Sequence, residues 1–355
     1  MNKKTIFQKL MAIFFMPVLI YLVMLFVSIG NGNSYNIFNG DTAMIILKKT
    51  SYMTIIALGI GFQLGYGRFD FSGGAITVLS AMIAGRICAD NGLGIGVLLL
   101  ISILCAVVFS ILHALIYIKV RVPIAVISLG TSFLLESLSG LIMNKTYNLG
   151  VIPRLAKIYD TALVLIPLLL AVVLCVVFQR YTVWGRQATL LSRKQSTAVN
   201  IGINEKKNTL ICYVISGFIF GCAASLYAVS NFMDTITAPL STAGTLFGNI
   251  IPSLVGLFLS RFIDPTAGTI IGALSIQLLY TGLDSNGISG GIKTICYAVF
   301  LAIFIFISGF WDQIVICVKD QFRKIKQKIK RDKPHDDIVA VSYTHLRAHE
   351  TLANL

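Results

Sequence analysis

The sequence predicts an all-α, polytopic integral membrane protein, and three observations carry the prediction. Of its 355 residues, 56% are apolar and only 12% are charged, with a mean hydropathy of +0.83. Soluble domains carry roughly 25% charged residues, so this composition cannot cover a water-facing surface. Apolar runs near the ~20 residues that span a hydrocarbon core recur along almost the whole chain. Lys and Arg concentrate in a few short connections and in the C-terminal tail, the asymmetry that orients membrane helices. The same clustering suits anionic membrane lipid, rather than nucleic acid, as the counterpart of a net charge of +14.

Taken in order, Lys3, Lys4 and Lys9 precede the first apolar run, 11–30. It has full spanning length and no small-residue cleavage site closes it, so an uncleaved first span with a cytoplasmic N-terminus is expected. Further spans are expected at about 50–65, 73–87, 93–118, 123–143, 162–178, 210–230, 248–260, 267–282 and 292–310, ten in all. Two of them, 73–87 and 248–260, are short and carry Gly73, Gly74 or Pro252. Broken or re-entrant helices are predicted there, because irregular backbone at membrane depth needs protein or a cavity around it. Ten spans starting inside place 119–122, 179–208, 261–266 and the tail on the cytoplasmic side. The 179–208 segment bears Arg180, Arg186, Arg193, Lys194, Lys206 and Lys207 against Glu205 alone, whereas the outer loops 231–240 and 284–289 have no Lys or Arg. Lys48, Lys49, Arg154 and Lys157 are outer exceptions, and the bias places both termini in the cytoplasm.

The organisation expected is a membrane domain over 1–310, a basic cytoplasmic tail over 311–340 and a foreign end over 341–355. The phrase VSYTHLRAHET resembles a translated sequencing-library adaptor, so that end is set aside as an assembly scar. His345 and His349, spaced as a helical metal pair, are set aside with it. A weak internal echo, FSGGAIT at 71–77 and ISGGIKT at 288–294, hints at two related halves. The seven cysteines form no ligand spacing and read as packing residues.

Three constellations carry chemistry. The first, GYGRFDFSGG over 65–74, combines permissive glycines with Arg68, Asp70 and Ser72. An ionisable group at membrane depth faces a cavity or a partner, and the alternative is a solvated interfacial loop. The second is the long basic segment 179–208, in which 188–200 suits a short helix stopped at Gly202. It suits docking on a cytosolic partner or, with Trp184 as anchor, contact with lipid headgroups. The third is a set of isolated polar groups within spans: Gln63, His113, Glu136, Asn249 and Asp284. His113 has no partner nearby in sequence and reads as a packing residue. Glu136 must pair, protonate or face water. No phosphate-binding loop, metal motif or nucleophile–base arrangement is present, so uphill transport would draw on an ion gradient or on another subunit.

In this order the constellations resemble the permease subunits of bacterial ABC importers of the ribose/simple-sugar branch, related to the branched-chain amino-acid permeases. The resemblance covers roughly 36–309. RFDFSGG is similar to that family's G-I-D-L-S-x-G, with Asp70, Ser72 and Gly74 on matching positions. VPIAVISLGTSFLLESLSGLI over 122–142 is similar to the Pro-led segment with which that family begins its next span. GRQATLLSRKQSTAVNIGIN over 185–204 resembles its coupling loop, with Gly185, Arg186, Ala198, Gly202, Ile203 and Asn204 aligned. Ser192-Arg193-Lys194 replaces that loop's G-x-N, and LFGNIIPS over 246–253 lacks an acid of the family pattern. The resemblance implies a non-catalytic translocation subunit, without cofactor, in a bacterial plasma membrane. Its partners would be cytosolic ATPase subunits, a second or related permease and an extracytoplasmic solute-binding protein. The solute would be a sugar or similar small polar molecule. Gln63, Asp70, Ser72, Gly73, Gly74, Glu136 and Asn249 become pathway candidates, and Arg193 and Lys194 join the aligned coupling-loop residues. The alternatives are an ion-coupled secondary transporter, with Asp70 and Glu136 as ion sites, or an ABC permease for an amino acid or nucleoside.

Overall fold

The computed structural model describes residues 3–33, 35–120, 122–143, 145–160, 162–288 and 290–331. The adaptor-like end, with His345 and His349, lies outside the described residues. Every expected span becomes helix. The first five are α1 (Lys3–Gly30), α2 (Gly40–Gly65), α3 (Ser72–Asp90), α4 (Ile95–Val120) and α5 (Ile124–Ile142). The short α6 (Pro153–Asp160), between two 3-10 turns, leads into α7 (Leu165–Tyr181). Next come α8 (Val183–Arg193), α9 (Gln195–Asn200), α10 (Glu205–Ser230), α11 (Ala243–Phe247), α12 (Ile250–Leu259), α13 (Pro265–Ser285) and α14 (Gly291–Arg331). Among the described residues, eight stretches are long and apolar enough to cross a membrane, and Phe14–Gly30 and Ala243–Leu259 are shorter apolar segments.

The chain divides into two units, residues 1–297 and 298–355. In the first, α10 packs against α2, α3, α4 and α7. Its Gly217 and Gly221 form a small-xxx-small pair that lets backbones approach closely. A Cβ on Gly217 would stand 2.7 Å from Ser110 Oγ, and one on Gly221 would collide with the Ile103 backbone of α4. In the second unit, α14 continues as one helix to Arg331. Its apolar part ends at Trp311.

The connections of residues 1–297 sort to two ends. One gathers the α2–α3 loop, α8, α9 and the α12–α13 turn, where Arg180 meets Asp264 at 2.5 Å. The other gathers an isolated bridge between Tyr147 and Met233 and the Asn31–Asn286 contact. The charge asymmetry is smaller than the sequence suggests, because Arg86, Lys145 and Lys293 also stand at this second end. Most of its cations are neutralised in place. Arg86 and Lys145 face Asp90, and Lys49 and Lys293 face Asp284. Arg154 caps the α3 C-terminus on the carbonyls of Cys88, Ala89 and Leu93.

Three local expectations change. α2 begins ten residues early, so Lys48 and Lys49 are helical. The helix expected over 188–200 is two helices broken at Lys194 (φ −149°), and Gly202 at φ +90° ends the second. The 73–87 run is an unbroken α3; the irregular backbone precedes it.

Candidate functional site

After α2, the amides of Gly67 and Arg68 bond back to Leu64 and Gln63 carbonyls, with Gly67 left-handed at φ +76°. The chain then runs extended and inward. The Phe71 carbonyl accepts from Ser132 Oγ at 3.3 Å, eight residues or ~12 Å along α5. Gly73 abuts the ring of Phe220, fifteen residues or ~22 Å along α10. Thus α3 starts well inside the protein.

Two polar chains hold that inward segment. Arg68 Nη2 donates to Thr209 Oγ1 (3.0 Å) and Nη1 to Gln63 Oε1 (3.5 Å), while Gln63 Nε2 donates to Ser216 Oγ (2.8 Å). The guanidinium also lies over the Tyr213 ring, 6.0 Å from its centre. Asp70 Oδ1 accepts the Ser72 amide at 2.7 Å, the first of α3, and Oδ2 lies 3.5 Å from His113 Nε2. His113 Nδ1 is 2.9 Å from Thr131 Oγ1. The Asp70 and His113 side chains are 4% and 0% exposed, so this is no solvated loop. Arg68 and Asp70 each have separate partners, and His113, without a neighbour in sequence, gains two.

A second segment dips in from the opposite end. Tyr147 and Met233 exchange two backbone bonds of 2.9 Å, and Thr146 Oγ1 donates to Asp234 (2.8 Å). Thr235 Oγ1 then donates to the Met143 carbonyl (3.3 Å), and the Ile236 amide to Ser139 Oγ (2.9 Å). Glu136 accepts the amides of Leu240 (2.7 Å) and Thr242 (2.9 Å) and the Thr242 hydroxyl (2.6 Å). Positions 143, 139 and 136 descend α5 turn by turn, so the loop expected over 231–240 is re-entrant. Leu240 pays for the turn with φ 56°, a left-handed conformation costly for a branched side chain. After α11 the chain breaks at Gly248–Asn249, where Tyr297 Oη donates to the Gly248 carbonyl (2.8 Å) and Asn249 Nδ2 to that of Thr245 (2.6 Å).

These inward segments meet. A Cβ on Gly74 would collide with the Thr242 carbonyl oxygen, and the Phe71 and Phe247 rings are 5.7 Å apart. Ser72, Gly73, Gly74 and Glu136 are buried at or beside this junction, Gln63 is buried beside Arg68 and Ser216, and Asn249 is buried at the α11–α12 break. On these segments and on α5 the exposed residues include Phe69, Ser137, Thr237, Ser241, Gly244 and Phe247, with Phe133, Leu134, Leu138 and Leu141 of α5. By contrast, α4 exposes Leu100, Leu104, Val108 and Leu112, a stripe suited to lipid. No pattern in the sequence points to Thr131, Thr209, Thr242 or Tyr297.

At the α8–α9 end, the predicted residues divide into anchors and exposed cations. The Gly185 amide bonds Thr182 Oγ1 (3.1 Å), and a Cβ there would strike the Phe178 carbonyl. Ala198 and Ile203 pack with Leu191, and Asn204 Oδ1 accepts the Lys207 amide (3.0 Å) at the start of α10. Arg186, Arg193 and Lys194 are exposed. A cavity of about 560 Å³ opens between Tyr117, Pro123, Gln195, Glu205, Lys206 and Thr209.

A family model described as "Branched-chain amino acid transport system / permease component" matches residues 42–308. The chain is 23% identical to the inner membrane ABC transporter permease protein YjfF of Escherichia coli K12, over 73% of this chain and 81% of that protein. It is 22% identical to the fructose import permease protein FruG of Bifidobacterium longum NCC 2705, over 61% and 72%. It is 23% identical to the autoinducer 2 import system permease protein LsrC of Enterobacter sp. strain 638, over 69% and 71%. No solved structure matches significantly. The family match contains both inward segments, their junction and the α8–α9 element, and the chain belongs to the branched-chain amino acid transport system permease component family of multi-pass membrane proteins.

Proposed function

We propose that the chain is the non-catalytic, membrane-spanning subunit of an ATP-driven importer for a sugar or similar small polar solute. The observation that carries this is the α8–α9 element. It is fastened to α7 where Gly185 abuts the Phe178 backbone and to α10 where Asn208 donates to the Trp184 carbonyl, and Ala198 and Ile203 pack back onto Leu191, yet it presents Arg186, Arg193 and Lys194 outward. A rigidly held cationic surface of this kind suits an acidic partner that pushes on the spans. Cytosolic ATPase subunits are that partner on this reading, which puts the basic end and both termini in the cytoplasm. The import permeases among its relatives support the same assignment.

The solute path passes the junction of the two inward segments, where Phe69, Ser137, Thr237, Ser241 and Phe247 are exposed, and is closed by a second permease copy or a related permease. Hydroxyls and aromatic rings without a charge suit a neutral hydroxylated solute better than an amino-acid zwitterion. An extracytoplasmic binding protein delivers the solute, and alternating access follows from rocking of the spans. Residues 1–310 form the membrane part and 311–340 a cytoplasmic tail.

Charge reversal with Arg193→Glu and Lys194→Glu, both at exposed positions, is expected to abolish capture of the ATPase in pull-down while the permease remains folded. Robust uptake by the purified chain alone, driven by an ion gradient, would overturn the proposal.

A further inference from the structure

The end opposite α8 and α9 is held together by few contacts. The chain after α5 and the chain after α10 pair at one point, where Tyr147 and Met233 exchange antiparallel backbone bonds of 2.9 Å. Beside it, Thr146 Oγ1 donates to Asp234 at 2.8 Å, and both of these side chains are exposed. An isolated bridge has no stability of its own in water, so its seat on α3 decides whether it forms. Met233 is fully enclosed in a slot that exists because residue 85 is glycine: a Cβ there would collide with the Met233 methyl and lie 3.3 Å from Leu149. Tyr147 Oη donates to Asp90 at 2.9 Å, and Lys145 stands 3.6 Å from the same carboxylate. Arg86 Nη1 donates to the Ile142 carbonyl at the end of α5. Methionine is a plug of flexible shape, and the other ties are polar groups near the surface that water can replace.

We propose that this pairing is a strap, the releasable outer closure of the solute path, which parts to let solute reach the junction of the inward segments. This rests on the function proposed above, which puts this end outside. The segment that leaves the strap is the one that descends α5 through Ser139 and Glu136 to Thr242, against Gly74. Parting the bridge frees its upper end, while Glu136, with three bonds, keeps its lower end in place. The strap also joins three elements: α3 through Gly85, Arg86 and Asp90, α5 through Ile142 and Met143, and α10 through the chain that follows Ser230. Any motion of α3 against α5 or α10 at this end must break it.

The register of the bridge supplies the test. Thr146 and Asp234 flank the doubly bonded pair, where antiparallel Cα atoms are about 4.5 Å apart, a separation that a disulfide spans. Thr146→Cys with Asp234→Cys should therefore lock the strap under mild oxidant in nanodiscs. Locking preserves the contact, so a merely structural tie would leave function intact. With co-purifying ATPase, the oxidised double variant is instead expected to lose ATP turnover by about 5- to 150-fold, the usual range of coupling between distant sites, and reductant should restore it. A membrane-impermeant maleimide, read residue by residue by mass spectrometry, should reach Ser241→Cys in the reduced chain and be excluded in the oxidised one. Gly85→Ala, which evicts Met233, should raise that reactivity in a chain without the added cysteine pair. Failure of the two cysteines to cross-link, wild-type turnover in the locked chain, or labelling that ignores the lock would overturn the proposal. If the wild type captures no ATPase, the importer assignment fails, and the labelling alone decides the strap.

Discussion

Glu136→Gln isolates what holds the second re-entrant segment in place. The carboxylate is 4% exposed and engages three donors, two amides and one hydroxyl. A glutamine keeps one carbonyl oxygen for Thr242, but its NH₂ then faces the Leu240 amide, donor against donor. The loss of a bond to a charged acceptor and the orphaning of a buried amide cost about 2–5 kcal/mol together. Relaxation of Leu240 from φ 56° returns part of this, since such strain holds about 1–3 kcal/mol. A net local loss of about 2–3 kcal/mol accelerates opening roughly 30- to 150-fold. Hydrogen exchange by mass spectrometry in nanodiscs should show that acceleration in peptides covering 236–242, with 205–230 unchanged. Exchange within threefold of wild type across 236–242 would refute the reasoning.

Three further outcomes follow from the same geometry. Gly74→Ala forces Cβ onto the Thr242 carbonyl, whose residue is held by Glu136, and should cost about 1–3 kcal/mol in thermal unfolding. Gly94→Ala, with nothing within 4 Å, serves as its neutral control. Gly73→Ala drives Cβ into the Phe220 ring, so Phe220→Leu should rescue it in a double-mutant cycle by about 0.5–3 kcal/mol. Gly202→Ala places a side chain at φ +90°, costs about 1–2 kcal/mol locally and should weaken ATPase capture, with Gly202→Asn milder.

The spans are legible in the sequence because lipid leaves a coarse imprint: all ten runs are helical, and the shortness of 248–260 reflects a real break. The inward segments are half legible. Gly73 and Gly74 mark the first, but the irregular backbone is 66–71, before them. The second reads as a surface loop, because a segment that bonds a neighbouring helix through its backbone needs no apolar pattern of its own. Contacts between distant positions leave no trace at all. His113 meets Asp70 across 43 residues and Glu136 meets Leu240 and Thr242 across 104 and 106. The SGG echo marks two helix starts, yet Gly73 and Gly74 are tightly packed, whereas Gly290 and Gly291 have open space.

On sequence grounds Asp70 and Glu136 suggest ion coupling, because a carboxylate at membrane depth needs a reason to be there. The geometry supplies another one. A chain that starts a helix inside a membrane exposes amides that neither water nor a preceding turn can satisfy, and both starts direct the positive end of a helix inward. A carboxylate answers both needs, since one group accepts several donors and carries the compensating charge. Asp70 does so for the first amide of α3, and Glu136 for the amides leading into α11. The two acids are therefore requirements of building two broken segments that meet at Gly74 and Thr242. An oxygen already bound to backbone makes a poor shuttle for ions, because each release would undo the segment it holds. On the function proposed above, the energy for movement comes in elsewhere, through the exposed cations of α8 and α9.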